Sequence, residues 1–139
     1  MRYAWSRVVA AMIADLPLHW EVTEVVLQAF RMVYNRMGSR FLEAVYVGAL
    51  EIQCRKLGLR VAREVPIAVR YDGHIVGHYR ADLIIDGVVV VEVKTGEPMA
   101  AHFAQLWNYL RCSELEVGLL LHFGQTPRSQ RITIDALHK

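Results

Sequence analysis

The chain has 139 residues, of which 54% are hydrophobic and 22% are charged, and its formal net charge is +2. This length and apolar fraction suffice for one hydrophobic core, so a single ordinary domain is expected. A net charge this small excludes a polycationic protein that coats nucleic acid by charge alone.

The first part of the chain, residues 1–18, is predicted to be an extension that precedes a domain covering residues 19–139. Its apolar run, residues 8–14, is at the short limit for a signal peptide, and Asp15 follows without a clean small-residue cleavage site. The run is also far too short to span a bilayer. We therefore expect a helical or frayed segment, no membrane association and a cytoplasmic protein, with Met12 as an alternative start.

The two cysteines carry no sign of a metal site. Cys54 and Cys112 lack both a CxxC motif and the Cys/His spacing that suits zinc. Both are expected to be reduced thiols, as is usual in a cytoplasmic protein.

Two helices are predicted at the start of the domain. Apolar residues recur at helical spacing from Trp20 to Met37, and Gly38 ends this pattern. A second helical pattern runs from about Phe41 to Leu57, and Gly58 closes it.

Strand signals follow the second helix. VPIAVRY and HIVGHYRADLII flank Asp72-Gly73, and VVVVEVK follows Asp86-Gly87; Asp-Gly between apolar runs is a strong turn signal. A third helix begins near Pro98 and extends to about Arg111. EVGLLLHF is almost continuously apolar, as buried parallel strands are, and RITI is a short closing strand. The order ααβββαββ predicts an α/β fold with a mixed sheet flanked by helices.

The predicted hairpin from Tyr79 to Lys94 carries charges inside apolar runs. Asp82 lies in its first strand, and Glu92 and Lys94 lie in its second. Glu92 and Lys94 are two residues apart, so their side chains leave the same face of the strand. Because an unpaired buried charge is very costly, these residues require partners, and the turn decides whether Asp82 is one of them.

Two turns are compatible with the sequence. A two-residue loop would pair Ile85 with Val88 and place the two acidic residues on opposite faces. A three-residue loop ending in Gly87, with that glycine at positive φ, would pair Ile84 with Val88 and place them on one face. We favour the second register because it separates a charged face from an entirely apolar one. The charged face would comprise Arg80, Asp82, Glu92 and Lys94, and the apolar face Ala81, Leu83, Ile85, Val89, Val91 and Val93.

Two carboxylates on one half-buried face repel each other, and a divalent cation is the usual way to hold them together. An adjacent lysine can position a water molecule or stabilise charge on a phosphate. The alternative is a structural salt-bridge cluster, in which Asp82 and Glu92 pair with Arg80 and Lys94. For the D-x9-E-x-K spacing in isolation this alternative is favoured, since the spacing is short and common.

Two helices supply further polar candidates. Glu43 shares an apolar helical face with Tyr46 and so is expected to have a partner, the simplest being an arginine of a neighbouring element. In the third helix, Gln105 and Tyr109 stand one turn apart, and His102 joins their stripe. Taken alone, Tyr109 is typical of a core residue and His102 of a surface histidine.

Taken together, GSRFLEAVY, YRADLIIDGVVVVEVK and AQLWNYL resemble the GxxExxR-type family of small proteins within the PD-(D/E)xK nuclease superfamily. The resemblance extends from about His19 to Ile134, and the combination is specific although each motif separately is weak. It implies a restriction-endonuclease-like core and a metal-dependent phosphodiesterase.

The resemblance also implies roles for individual residues. Glu43 would be the acidic residue of the first helical motif, Asp82 the metal-binding aspartate, and Glu92 and Lys94 the E-x-K pair. Asp82, Glu92 and Glu43 would bind Mg²⁺, for which Mn²⁺ can substitute, and the metal would activate a water for attack on a DNA phosphodiester.

Four further residues are candidate substrate contacts: Gln105, Tyr109, His102 and Arg40. The first two match the Q-x3-Y motif of the recombination-exonuclease branch, whose residues support the site and touch nucleic acid. Arg40 stands where the family usually has glycine, so it would narrow the mouth of the site or add a phosphate contact. Ala81 replaces the usual proline, and His122 stands where similar proteins tend to have asparagine.

The leading interpretation is therefore a Mg²⁺-dependent nuclease acting on DNA. One alternative is a catalytically silent nuclease-like module that binds nucleic acid or a partner protein, and another is a structural charge cluster in a protein-interaction domain. Because the basic residues between positions 55 and 70 are only loosely clustered, substrate affinity could depend on a homodimer or a partner.

Overall fold

The computed structural model describes Arg7, residues 16–135 and Lys139. Apart from Arg7 and residues 16–18, the predicted extension and its alternative start lie outside the described residues. The helices are α1 (Trp20–Met37), α2 (Glu43–Lys56) and α3 (Ala100–Cys112), and the strands are β1 (Val61–Tyr71), β2 (His74–Ile85), β3 (Val89–Thr95), β4 (Val117–Phe123) and β5 (Pro127–Thr133). The predicted order ααβββαββ is confirmed.

The five strands form one mixed sheet in the order β1-β2-β3-β4-β5. β3 and β4 pair in parallel, and the other neighbouring strands pair antiparallel. A parallel pair needs a crossover connection, which α3 provides. This arrangement confirms the predicted restriction-endonuclease-like α/β fold. Within the described residues, no helix is long and apolar enough to cross a membrane.

Helices cover both faces of the sheet. α1 and α2 pack on one face, where Tyr46 stacks on Phe123 with ring centroids 4.0 Å apart and donates a hydrogen bond to the carbonyl of Gly38 at 2.6 Å. α3 packs on the other face around Leu106. A Cβ on Gly118 of β4 would lie 2.9 Å from Leu106, so only glycine allows this close approach of α3 to the sheet.

The register of the β2–β3 hairpin differs from both predicted ones. Ile85 pairs with Val89 and Ile84 with Val90, so the predicted Ile84–Val88 pair is wrong. Asp86 and Gly87 both have positive φ, 50° and 68°, and Val88 is the extra residue after this turn. The positive φ of Gly87 is confirmed, and Asp and Gly are residue types that tolerate this region.

Bonds to a distant segment explain the turn. The backbone N–H of Asp86 donates to the carbonyl of Arg60 at 2.9 Å, and the Asp86 carboxylate accepts the backbone N–H of Arg60 at 2.8 Å. The observed register is shifted by two residues from the favoured one, and a shift of two preserves the faces. Asp82 and Glu92 are therefore on one face, as predicted.

The face on which Ala81 lies also differs from the prediction. It was predicted on the same apolar face as Leu83, but it is buried in the cluster around α3, whereas Leu83 and Ile85 belong to the cluster around α1 and α2. Opposite this part of β2, Glu64 of β1 has φ 54° inside the strand. A residue of this conformation inside a strand alters the local twist of the β1–β2 hairpin. Alternation along β2 is therefore interrupted between Leu83 and Ala81, and Ala81 faces α3.

Both cysteines are free, and Cys54 is buried. Burial raises the pKa of the Cys54 thiol to about 11. The thiol is therefore protonated at neutral pH and behaves as part of the core.

Candidate active site

The site lies where β2 and β3 separate. Their ladder extends only as far as the pair Leu83–Val91. Beyond it, the Asp82 carboxylate accepts the backbone N–H of Val93 at 2.8 Å, so a side chain replaces the missing backbone partner. This bond places the Asp82 carboxylate beside Glu92 at the opening between the strands.

Glu92 is buried, with 1% of its surface exposed. Burial is the largest cause that raises its pKa, to about 9, and the hydrogen bond with Asp82 and the like charge of Asp82 act in the same direction. Two smaller effects lower the pKa of Glu92: a hydrogen bond with Tyr109 and the positive charge of Lys94. Without a cation, the Glu92 carboxyl is therefore protonated at neutral pH.

One oxygen of Glu92 lacks a partner. Its Oε2 atom is buried and accepts no hydrogen bond within the described part of the chain. A buried oxygen without a partner is rare in folded proteins and calls for an explanation such as a bound ion. Two adjoining carboxyl groups and a free oxygen form a donor set that suits a hard divalent cation. The residues present thus fit the metal that the sequence predicts.

Lys94 follows Glu92 on the same face of β3 and is partly buried. Its ammonium acts on Glu92, His102 and His122, whose pKa values it lowers, so it lies among these groups. Within the described residues, neither Lys94 nor Arg80 forms a salt bridge with Asp82 or Glu92. The structural salt-bridge cluster weighed above is therefore not seen.

Tyr109 contacts Glu92, and Gln105 contacts Tyr109. The Gln105 side chain donates to the Tyr109 hydroxyl at 2.7 Å, and this hydroxyl donates to the carbonyl of Arg80 at 3.0 Å. Burial, followed by the negative charge of Glu92, raises the pKa of Tyr109 well above its usual range. Tyr109 thus remains a neutral donor that ties β2 to α3 next to the acidic pair.

Glu43 occupies a different position from the predicted one. It is the first residue of α2 and is exposed. The prediction that Glu43 lies on an apolar face and needs an arginine partner is therefore wrong. The reason is that α2 starts at Glu43 and not near Phe41, so the side chain lies at the helix end. Its negative charge nevertheless opposes the lowering of the His102 pKa, which places Glu43 near the N-terminal end of α3.

The structure does not bring Glu43 into a three-carboxylate cluster. Among the described residues there is no group of three or more His, Cys, Asp or Glu side chains close enough to hold one metal ion. Asp82 and Glu92 are the adjoining pair, and water or backbone carbonyls would have to supply the other ligands of a cation there.

Arg40 has φ 92°, which is costly for any residue with a side chain and is consistent with the glycine usual at this position. It lines a cavity of about 550 Å³ with residues that follow β3 and β4, among them Thr95, Glu97 and Gln125. Since Thr95 directly follows Lys94, Arg40 borders the same end of the sheet as the acidic pair.

His102 pairs with a residue that sequence inspection did not assign to the site. Its Nδ1 lies 3.0 Å from Nε2 of His122, and His122 stands opposite Lys94 in the parallel register of β3 and β4. Burial and the charge of Lys94 lower the pKa of His102, and burial, His102 and Lys94 lower that of His122. His122 could have been assigned to the site only if the pairing of β3 with β4 had been known.

Comparison with known proteins bears on the fold and the family. The crystal structure of SSO0001 has a similar fold, with a TM-score of 0.51 and 23% sequence identity over 68% of this chain and 52% of that chain. The chain thus spans about half the length of that protein. Curated proteins give no match. Residues 20–134 match the sequence model of the PD-(D/E)XK nuclease superfamily. The chain therefore belongs to the PD-(D/E)XK nuclease superfamily.

Proposed function

We propose that the chain is a divalent-cation-dependent nuclease that hydrolyses phosphodiester bonds of DNA, and that it is of the GxxExxR type. The observation that carries this proposal is the Asp82–Glu92 pair. Glu92 is buried and has one oxygen without a hydrogen-bond partner among the described residues, and neither carboxylate forms a salt bridge with Lys94 or Arg80 there. An ion-pair network would have used those cations, whereas a metal site keeps oxygens available.

Asp82 and Glu92 would hold Mg²⁺ or Mn²⁺, with Glu43 as an additional acidic residue at the rim. The bound cation would supply a nucleophilic water at neutral pH and neutralise charge on the phosphate. The protein's part is to fix both carboxylates, which the Val93 N–H bond to Asp82 and the burial of Glu92 achieve.

Lys94 would stabilise the negative charge that develops on the phosphate, since its ammonium has no salt bridge within the described residues. Gln105 and Tyr109 would hold the β2 edge of the site and contact the nucleic acid. His102 and Arg40 would contact the substrate at the rim, where the neutral His102 imidazole can donate or accept a hydrogen bond.

The extent of the domain, its location and its oligomeric state are part of this proposed function. Residues 19–139 would form one nuclease-like domain, and two free thiols suit a cytoplasmic location. A homodimer would extend the surface that contacts nucleic acid. The alternative is a silent module of the same fold that binds nucleic acid or a partner protein and cuts nothing.

A cleavage assay decides between these two. Labelled single-stranded and duplex DNA, with RNA counterparts, is incubated with protein in Mg²⁺, Mn²⁺ or EDTA. We expect cleavage of DNA only with metal, and loss of cleavage in Asp82→Asn, Glu92→Gln and Lys94→Ala. Glu21→Gln, an exposed acid of α1, is the matched control and should cut normally. Metal-independent cleavage, or equal cleavage by all variants, would reject the proposed site.

A further inference from the structure

A cavity of about 500 Å³ lies between α3 and the outer part of the β1–β2 hairpin. Two arginines line it, Arg70 of β1 and Arg111 of the last turn of α3, together with Asn108 and Tyr79. Within the described part of the chain, neither arginine forms a salt bridge. Two guanidinium groups in a cavity whose described lining contains no Asp or Glu side chain attract an anion.

A third cation, Lys139, also lines this cavity but is already engaged. Its ammonium donates to the carbonyls of Ser113 and Leu115, both at 2.6 Å. The carboxylates of Glu116 and Glu114 offset its charge. Of the described lining residues, Arg70 and Arg111 are therefore the cations with charge to spare for a ligand.

The cavity adjoins the candidate active site through two aromatic rings. Tyr79, which lines the cavity, has its ring centroid 5.3 Å from that of Tyr109. On the other side, the Tyr109 hydroxyl meets Gln105 and the carbonyl of Arg80 next to Glu92. The cavity is thus separated from the acidic pair by these two tyrosine rings.

The distance along α3 matches a short stretch of nucleic acid. Arg111 is six residues beyond Gln105 on α3, which corresponds to about 9 Å at roughly 1.5 Å per residue. Successive phosphates of one strand advance by about 3.4 Å along a duplex axis, so this distance covers roughly two to three nucleotides. A strand cut at the acidic pair would bring another of its phosphates to the cavity.

We propose that this cavity is a second phosphate-binding subsite, which holds the backbone of the substrate strand two or three nucleotides away from the Asp82–Glu92 pair. This inference rests on the proposed function and adds the substrate's minimum length to it. The guanidinium groups bind the phosphate oxygens in pairs, and Asn108 and Tyr79 supply neutral donors. Strands too short to reach the cavity bind more weakly than longer ones.

Binding in EDTA tests this without cleavage. Fluorescence anisotropy compares a labelled dinucleotide with a labelled dodecanucleotide over a range of salt concentrations, using wild type and an Arg70→Ala/Arg111→Ala double variant. We expect the double variant to bind the dodecanucleotide roughly fivefold more weakly, as for two exposed ion pairs, and the dinucleotide unchanged. Its salt slope for the longer strand should fall by about 1.4, since each contact to a single strand contributes about 0.7.

The control is Arg31→Ala, because Arg31 is an exposed arginine of α1 on the opposite face of the sheet and should behave as wild type. An Arg70→Lys/Arg111→Lys variant keeps the charge, so it should retain most of the salt slope while losing bidentate geometry. If wild type binds and cuts DNA but the double alanine variant matches it in affinity and slope, the subsite is rejected and the nuclease stands. If wild type binds neither strand, the subsite and the proposed function fall together.

Discussion

The Asp82 carboxylate accepts the backbone N–H of Val93 at 2.8 Å, immediately beyond the last backbone pair between β2 and β3. A side chain thus closes one strand junction through one oxygen of its carboxylate. Asp82 is held rigidly beside Glu92 by the backbone of Glu92's own strand. Fixed geometry of this kind is what a cation site requires before the cation arrives.

The acidic pair predicts how stability depends on pH without metal. The pKa of Glu92 is raised to about 9, so the folded chain binds a proton that the unfolded chain, with a pKa of 4.5, releases. The stability from this proton is complete below pH 4.5 and is lost as the pH rises through 9. Urea unfolding in EDTA should show a loss of at least roughly 1 kcal/mol between these limits, since one pKa unit corresponds to about 1.36 kcal/mol. Glu92→Gln should flatten this slope, and Glu21→Gln should retain it; equal slopes in all three proteins would show that Glu92 does not hold the proton.

Tyr109→Phe tests the link between α3 and β2. It removes a buried hydroxyl that accepts from Gln105 and donates to the Arg80 carbonyl, so both groups lose a partner. We expect the free energy of unfolding to fall by roughly 1–3 kcal/mol and the affinity for nucleic acid to decrease, with the fold retained. Tyr71→Phe, at an exposed tyrosine, is the control. A variant as stable as wild type would mean that the hydroxyl does not hold this junction.

Arg40→Gly separates the two roles considered for Arg40. Glycine adopts φ 92° without strain but adds entropy to the unfolded chain, so the free energy of unfolding should change by only about 0.5 kcal/mol in either direction. If Arg40 contacts a phosphate, DNA affinity should fall and the salt slope should decrease by about 0.7–0.9. His19→Gly, at the start of α1 with φ 56°, should leave affinity unchanged. Tighter binding by Arg40→Gly would instead show that the side chain narrows the mouth.

The sequence was sufficient for the order and type of the elements because their signals are local. Helical spacing of apolar residues, Gly38 after α1 and the two Asp-Gly turns each depend on a few neighbouring residues. Strand alternation likewise placed Asp82 and Glu92 on one face, and helical periodicity placed Gln105 and Tyr109 one turn apart. The position of Gln105 and Tyr109 beside the acidic pair was implied by the family resemblance and not by periodicity.

What the sequence could not supply depends on contacts between distant segments. The hairpin register is fixed by two bonds between Asp86 and Arg60, and the face of Ala81 follows from the positive φ of Glu64 in a neighbouring strand. His122 reaches the site only through the parallel register with Lys94. None of these three features has a signal in the neighbouring sequence.

Thermal unfolding of wild type and Glu92→Gln, in EDTA and in Mn²⁺, tests the central claim most directly. If the acidic pair is a cation site, the glutamine imitates the protonated Glu92, so its Tm in EDTA should equal or exceed that of wild type. Mn²⁺ should raise the Tm of wild type, since a ligand that binds only the folded state stabilises it, but not that of Glu92→Gln. The account is contradicted if Glu92→Gln melts far lower in EDTA and wild type ignores Mn²⁺, because losing one partner of a buried ion pair costs roughly 3–5 kcal/mol.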